Sequence, residues 1–431
     1  EWGGRLNEEE RLMTTLERIE LFHVAVPLTA PFYPAWIPGY PQTESRFTLL
    51  KMTTKDGVEG FAAGNAFENE REGLGSLLGP YLIGMDPTDI PRVRQLLREA
   101  SFLGWHNPWI EAACWDIKGK IEGKPVYQLL NPDLPDPVTA ARVYASSGSI
   151  KPIGKRKEYL DRIREMGFSA VKLRVHDFDI REDIAVVEAA RRHVGDVFVI
   201  GVDANQGWRV TLIDDAPTWD LERATDFGKA CEDFGVRWLE EPLDMHAYDD
   251  LAELRRRMST LKIAGCELNA GWHEARIFIE KGSFDIYQPD ATFCGGLDTS
   301  REIFRACMER GLEFTPHTWT NGIGLIVNLH AFAAYPERRL LEYPFEPPGW
   351  VPEGRDAILE EPIGVSSEGT IAIPQEPGLG LRIGRKRLRR FGRRFYRMNT
   401  VKLAVNTIRK KGLRTALELK KKKQARAQSG G

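Results

Sequence analysis

Val197-Phe-Val-Ile-Gly-Val-Asp203-Ala-Asn205 is a run of β-branched and aromatic residues that stops on an acid and an amide. A run apolar on both faces is the mark of a strand buried in a parallel sheet. The same pattern recurs along the chain. Thr139 to Ala145, Ala170 to Val175, Val236 to Pro242, Lys262 to Glu267, Phe284 to Asp290, Glu313 to His317 and Arg339 to Pro344 are short β-rich runs divided by longer helical stretches. With 197–205 they make eight. Their ends fall 23 to 37 residues apart, near the ~30 residues of a βαβ unit. Eight such units predict an α/β protein built on a (β/α)8-type barrel.

Barrels of this kind do their chemistry at the carboxyl ends of the strands, while the opposite face serves stability. From the second run onward each end holds a chemically useful side chain: Lys172 with Arg174, Asp203 with Asn205, Glu240 with Glu241, then Glu267, Asp290, His317 and Glu342. Side chains alternate faces along a strand, so Lys172 and Arg174 point the same way, as do Asp203 and Asn205. Asp203, Glu240 and Glu267 come from three adjacent runs and make an all-oxygen set. Hard ligands of that type suit Mg2+, with Mn2+ as the alternative, and not zinc. A single acid at a strand end is more often a helix cap or an ion-pair partner; it is the succession that points to a metal.

Upstream, residues 13–137 read as a separate α+β domain, with strands at Leu16 to Pro27 and Phe47 to Thr54 and amphipathic helices that include Pro108 to Glu122. The linking segment from Ala30 to Tyr40 is too rich in aromatics and proline for a hairpin turn. It reads as a lid over the barrel mouth or as a loop packed on its own domain. The barrel takes 138–345, a C-terminal segment takes 346–384, and 385–431 is a basic tail, helical or disordered. That tail carries 18 of the 60 Lys and Arg and one acid, Glu418, so the net charge of -2 conceals an acidic body with a basic appendage. Val401, Val405 and Ile408 fall at helical spacing beside Lys402, Arg409, Lys410 and Lys411, as in a basic amphipathic helix on an anionic membrane. Nucleic acid is a second candidate partner. A solvated or partly disordered tail docked on the acidic body of its own or a neighbouring subunit is the favoured reading. Residues 1–12 precede Met13 and read as an extension.

At 431 residues and 42% apolar content the chain can bury a large core. It has no run of eighteen uncharged apolar residues and no basic-then-apolar N-terminal pattern, which leads us to expect a cytoplasmic protein. Cys114, Cys231, Cys266, Cys294 and Cys307 are scattered, without C-x-x-C spacing, which speaks against a disulfide framework or a zinc site.

The motifs Val171-Lys-Leu-Arg, Val202-Asp-Ala-Asn, Leu239-Glu-Glu-Pro, Gly265-Cys-Glu-Leu-Asn, Gln288-Pro-Asp-Ala-Thr-Phe-Cys-Gly-Gly and Pro316-His, taken as a set, resemble the signature series of the mandelate racemase branch of the enolase superfamily. The resemblance spans about residues 14 to 382 and includes Ala113-Cys-Trp-Asp-Ile-Lys-Gly-Lys of a capping domain and the closing Pro377-Gly-Leu-Gly. It implies that Asp203, Glu240 and Glu267 bind the metal and that Asp290 and His317 form a catalytic dyad. It further implies that Glu342 lies near an enolate and that Lys172 contacts a substrate carboxylate.

The implied chemistry is removal of an α-proton from a carboxylate substrate, which demands neutralisation of the developing dianion. His317 has an ordinary pKa near ~6.5, and a carboxylate partner fixes its tautomer and raises its basicity. Where many relatives place a second lysine that acts as a base, this chain has Arg174. A guanidinium does not give up its proton, so Arg174, with Asn205, is assigned to substrate binding. One base on one face fits β-elimination of water from an acid sugar, giving a 2-keto-3-deoxy acid. A racemase or epimerase on the same metal site is the alternative, and a non-catalytic barrel tethered by its basic tail is a further one. Relatives of this type commonly form homo-oligomers.

Overall fold

The computed structural model describes residues 14–65, 73–103, 106–134 and 136–428. The N-terminal extension read at residues 1–12, and Met13 after it, lie outside the described residues. Strands β1 (Leu16–Phe32), β2 (Gln42–Thr54) and β3 (Glu59–Asn65) form an antiparallel meander. One face buries Ile19, Leu21, Leu50 and Met52 among the helices Leu74–Leu82, Ile90–Ser101 and Glu111–Glu122. The second helix shows why such a segment folds locally. Asp89 caps it by accepting from the Arg92 backbone N–H, and Ile90, Val93, Leu96, Leu97 and Ala100 recur at helical spacing on its buried side.

Eight parallel strands follow: β4 (Ala140–Ser146), β5 (Ala170–Arg174), β6 (Val199–Asp203), β7 (Trp238–Glu240), β8 (Lys262–Gly265), β9 (Ile286–Tyr287), β10 (Glu313–Phe314) and β11 (Leu341–Pro344). A helix covers each crossover, and Gly282 and Gly311 end two of those helices in the left-handed region that a glycine adopts without strain. The ladder runs β10-β9-β8-β7-β6-β5-β4-β11. At the remaining seam, between β10 and β11, side chains make the join: Thr315 Oγ1 donates to the Leu340 carbonyl at 2.7 Å and Thr318 Oγ1 to the Glu342 carbonyl at 2.9 Å. Strands β8, β9 and β10 are shorter than the sequence runs because the backbone leaves the ladder before the functional residue. Glu267, Asp290 and His317 all lie beyond the last paired residue of their strands.

Inside the barrel, Tyr144 and Trp238 pack with ring centroids 5.0 Å apart and close the floor beneath the mouth. Gly201 makes this possible, since a Cβ there would stand 2.1 Å from the indole of Trp238. After the barrel, β12 (Thr370–Ala372) pairs antiparallel with β4, and Leu379 N donates to the buried Asp116 carboxylate of the first domain at 2.9 Å.

The tail departs from a simple helical or disordered appendage. Residues Gly392–Asn399 form β13, antiparallel to β1, as a fourth strand of the first domain's sheet. Phe395 stacks on His23 at 4.0 Å, and the Tyr396 ring fills space left by Gly75 and Gly79. Helices Thr400–Lys411 and Leu413–Gln428 follow, with no buried residue in the first.

Candidate active site

The strand register sets the site. Arg174, Asp203 and Glu240 are cross-strand partners in one row over β5, β6 and β7, with Lys172 two residues lower on β5. All of these side chains are fully buried. Lys172 Nζ lies 2.6 Å from Glu342 Oε1, forms a short contact with Glu240 Oε1, and stands 3.5 Å from Asp203. Arg174 pairs closely with Asp203 Oδ2, donates to Asn205 Oδ1 at 3.2 Å and to the Ser147 carbonyl at 2.7 Å. Burial alone would push both cations toward the neutral form. The surrounding acids outweigh it, Glu240 and Glu342 for Lys172 and Asp203 first for Arg174, so both pKa values rise. Neither group is a base in this setting.

His317 and Asp290 form the second half. Nδ1 of His317 meets Asp290 Oδ2 at 2.9 Å, and Nε2 stands 3.4 Å from Glu267 Oε2. Burial disfavours the imidazolium, but Glu267, Glu342 and the hydrogen bond to Asp290 lift its pKa to about 9. Asp290 is held in turn by three donors at 2.7 to 2.8 Å: the Thr292 N–H, the Thr292 hydroxyl and Asn328 Nδ2. Glu342 accepts from Ser146 Oγ at 2.8 Å and from the Thr318 N–H at 2.6 Å. Burial would raise its pKa, yet Lys172, His317 and Arg174 bring it down to about 2.

Among the described non-glycine residues only Asn205, Glu241 and Cys266 have positive φ, at 46°, 45° and 82°. Each lies within two residues of Asp203, Glu240 or Glu267. Left-handed backbone is costly for such residues and persists where the surroundings over-determine it; here it turns the chain out of the strand and aims the acids at the mouth.

Among the described residues no three of these acids converge on one point. Lys172 stands among Asp203, Glu240 and Glu342, and Arg174 pairs with Asp203. The donor chemistry nonetheless fits a hard divalent cation. Six acids, Asp203, Glu240, Glu241, Glu267, Asp290 and Glu342, face three cationic groups, Lys172, Arg174 and His317. Glu241 Oε2 is buried without a hydrogen-bond partner, and burial together with Glu267, Asp203 and Glu240 raises its pKa. A site with surplus buried carboxylate takes up either protons or a cation.

The hairpin between β1 and β2 lies across the mouth. Ala35 N–H donates to the Gly148 carbonyl at 2.8 Å, the Ala35 carbonyl meets His176 Nε2 at 2.9 Å, and Val210 N–H donates to the Trp36 carbonyl at 3.0 Å. Phe32 stacks on Trp319 at 5.4 Å, and Trp36 and Trp319 cover the Arg174 guanidinium at 5.2 and 5.8 Å. Trp208 is not a free stacking surface, since its Nε1 donates to Glu267 Oε1 at 2.7 Å. Every site residue read from the sequence thus lies at this mouth. The sequence reading missed Asn328, Thr292, Thr318, Ser146 and Gln288, whose Nε2 donates to Glu240 Oε2 at 2.7 Å. Only Gln288 and Thr292 gave a signal, as members of the motif around Asp290.

Residues 155–387 match the family model described as enolase C-terminal domain-like, and residues 18–131 match the mandelate racemase/muconate lactonizing enzyme N-terminal domain. The chain is 29% identical over 345 residues to L-talarate/galactarate dehydratase of Salmonella typhimurium, covering 76% of this chain and 81% of the relative. It is 29% identical over 355 residues to D-galactarolactone cycloisomerase of Agrobacterium fabrum, covering 74% and 87%. The Salmonella typhimurium LT2 dehydratase, solved with Mg and L-lyxarohydroxamate, superposes with a TM-score of 0.77 at 26% identity, over 93% of this chain and 98% of that one. Two matched domains and a barrel mouth of acids, paired cations and a His–Asp dyad agree: the chain is an enzyme of the mandelate racemase/muconate lactonizing enzyme family within the enolase superfamily.

Proposed function

We propose that the chain is a Mg2+-dependent hydro-lyase that removes water from an acid sugar to give a 2-keto-3-deoxy acid. The observation that carries this reading is the single His317–Asp290 dyad opposite two buried cations that hold their protons. Lys172 and Arg174 bind the substrate carboxylate and offset the charge of the enolate, assisted by Asn205. Asp290 fixes the tautomer with the proton on Nδ1, so Nε2 takes the α-proton when His317 is in its deprotonated form, which the raised pKa of about 9 makes the minor form near neutral pH. The resulting imidazolium then donates that proton to the departing β-hydroxyl, which leaves as water, and the enol takes a proton at the adjacent carbon to become the 2-keto acid. Glu342, hydrogen-bonded and anionic, holds Lys172 in place. Asp203, Glu240 and Glu267 would hold the cation, which would supply positive charge to offset the developing enolate.

The Salmonella typhimurium relative supports this reading, since the protein matched both in sequence and in structure is an L-talarate/galactarate dehydratase. The cycloisomerase relative supports a second version of the same step, in which the group expelled from the β-carbon is a lactone carboxylate. Incubating the purified protein with Mg2+ and a panel of mono- and diacid sugars and sugar lactones separates the two, with 2-keto acid read as semicarbazone absorbance. Product from an open-chain acid that EDTA abolishes supports dehydration; product from lactones alone moves the assignment to the second version. Exchange of the α-proton in D2O without product formation would replace both by a racemase or epimerase.

A further inference from the structure

The helices Thr400–Lys411 and Leu413–Gln428 turn back on each other at Gly412, and the first stands on β13. Their apolar residues face water: Val401, Val405 and Ile408 at i, i+4 and i+7 on the first, Leu413, Leu417 and Leu419 on the second, each between 38 and 67% exposed. These six make up a third of the exposed large apolar side chains among the described residues. Around them lie Lys402, Arg409, Lys410, Lys411, Arg414, Lys420, Lys421 and Lys422. Among the described residues these bases make no ion pair with the acidic body; Arg414 with Glu418, at 3.4 Å, is the one pair they form. The tail is anchored instead below the hairpin, through Arg394 to Glu20 at 2.6 Å and Thr400 Oγ1 to Glu17 at 2.8 and 2.9 Å. The docking on its own body expected from the sequence is therefore confined to β13 and its flanks.

We infer that this helical hairpin binds the surface of an anionic lipid bilayer. Basic residues beside a solvent-facing apolar stripe match that surface in both respects, since anionic headgroups attract the bases and the acyl boundary takes Val401, Val405 and Ile408 with the Leu413 and Leu417 pair. A nucleic acid backbone would leave the stripe in water. Two copies meeting tail to tail would set base against base, with one acid each to relieve it. No helix among the described residues is long and apolar enough to cross a membrane, so the contact is peripheral.

Flotation of the full chain with phosphatidylcholine vesicles, with and without phosphatidylserine, tests the inference. The chain is expected to bind the phosphatidylserine vesicles at least tenfold more tightly, to lose that binding in high salt, and to lose most of it in the double variant Val405→Asp with Ile408→Asp. Both positions are exposed, so the variant's circular dichroism and melting should match the parent. Equal affinity for both vesicle types, or no binding to either, overturns the inference. So does retention of duplex DNA by a chain that ignores vesicles, or a concentration-dependent dimer that the double variant abolishes.

Discussion

Lys172 and Arg174 are fully buried, each among carboxylates from several strands. The lysines and arginines from 402 to 422 are exposed, with one carboxylate among them. The two groups share a charge and differ in dielectric. A buried ammonium is tied to particular oxygens, and removing it strands the partners. An exposed one acts through the field it shares with its neighbours, screened within about 10 Å at ordinary salt. Position should therefore matter in the barrel, and number in the tail.

The comparison breaks first at His317, the one group of the mouth expected to exchange its proton during turnover. His317→Asn should lower kcat on an identified substrate by on the order of 10³-fold or more, while Mn2+ affinity followed by electron paramagnetic resonance changes little. Next, Lys172→Met leaves Glu240 and Glu342 without their ammonium and should cost about 3–5 kcal/mol in urea unfolding. Millimolar Mg2+ should recover part of the loss, more than it adds to the parent; no recovery would mean the carboxylates do not hold the cation.

A third test asks whether burial itself governs a charge away from the mouth. Glu111 accepts from Trp115 Nε1 at 2.9 Å and from the Asp298 N–H at 2.8 Å where the first domain meets the barrel. Burial, then Asp298, raises its pKa to about 7. The folded state thus holds a proton there that the unfolded chain releases near 4.5. That contribution is complete below pH 4.5 and fades as pH rises through 7, an expected loss of about 3 kcal/mol. Glu111→Gln should remove that slope, so the melting temperatures of variant and parent diverge between pH 5 and 8 in the variant's favour. Smallest is Lys410→Glu with Lys411→Glu, which should shift unfolding by less than about 0.5 kcal/mol; a larger effect would mean that the tail's charges are positioned like those of the mouth.

The same contrast explains what the sequence disclosed. Asp203, Glu240 and Glu267 were legible as a succession, three adjacent apolar runs each ending on an acid, where one alone would read as a helix cap or an ion-pair partner. Asn328, which holds Asp290, was not, since it lies in the helix Gly322–Ala334, where every residue is buried and no polar face marks the position. Thr318 and Ser146 act on Glu342 from the next strand ends and carry no pattern of their own. The lid could be suspected from the aromatics of 30–40 but not placed, because its anchors at Gly148, His176 and Val210 belong to three different loops. Strand β13 was hidden by its arginines. Phe395, Tyr396 and Met398 supply its apolar contacts, and what makes it a strand is the open edge of β1, far away in the chain.

That edge bears on how the protein can be cut. The barrel-domain family match ends at residue 387, yet β13 covers the hydrogen-bonding side of β1 from Arg18 to Val24. Trimming the chain to the family limit would bare a row of unsatisfied amides and carbonyls beside a groove at Gly75 and Gly79 emptied of Tyr396. Such a border recruits strands from other molecules, so the shortened form would be expected to aggregate with its catalytic mouth intact.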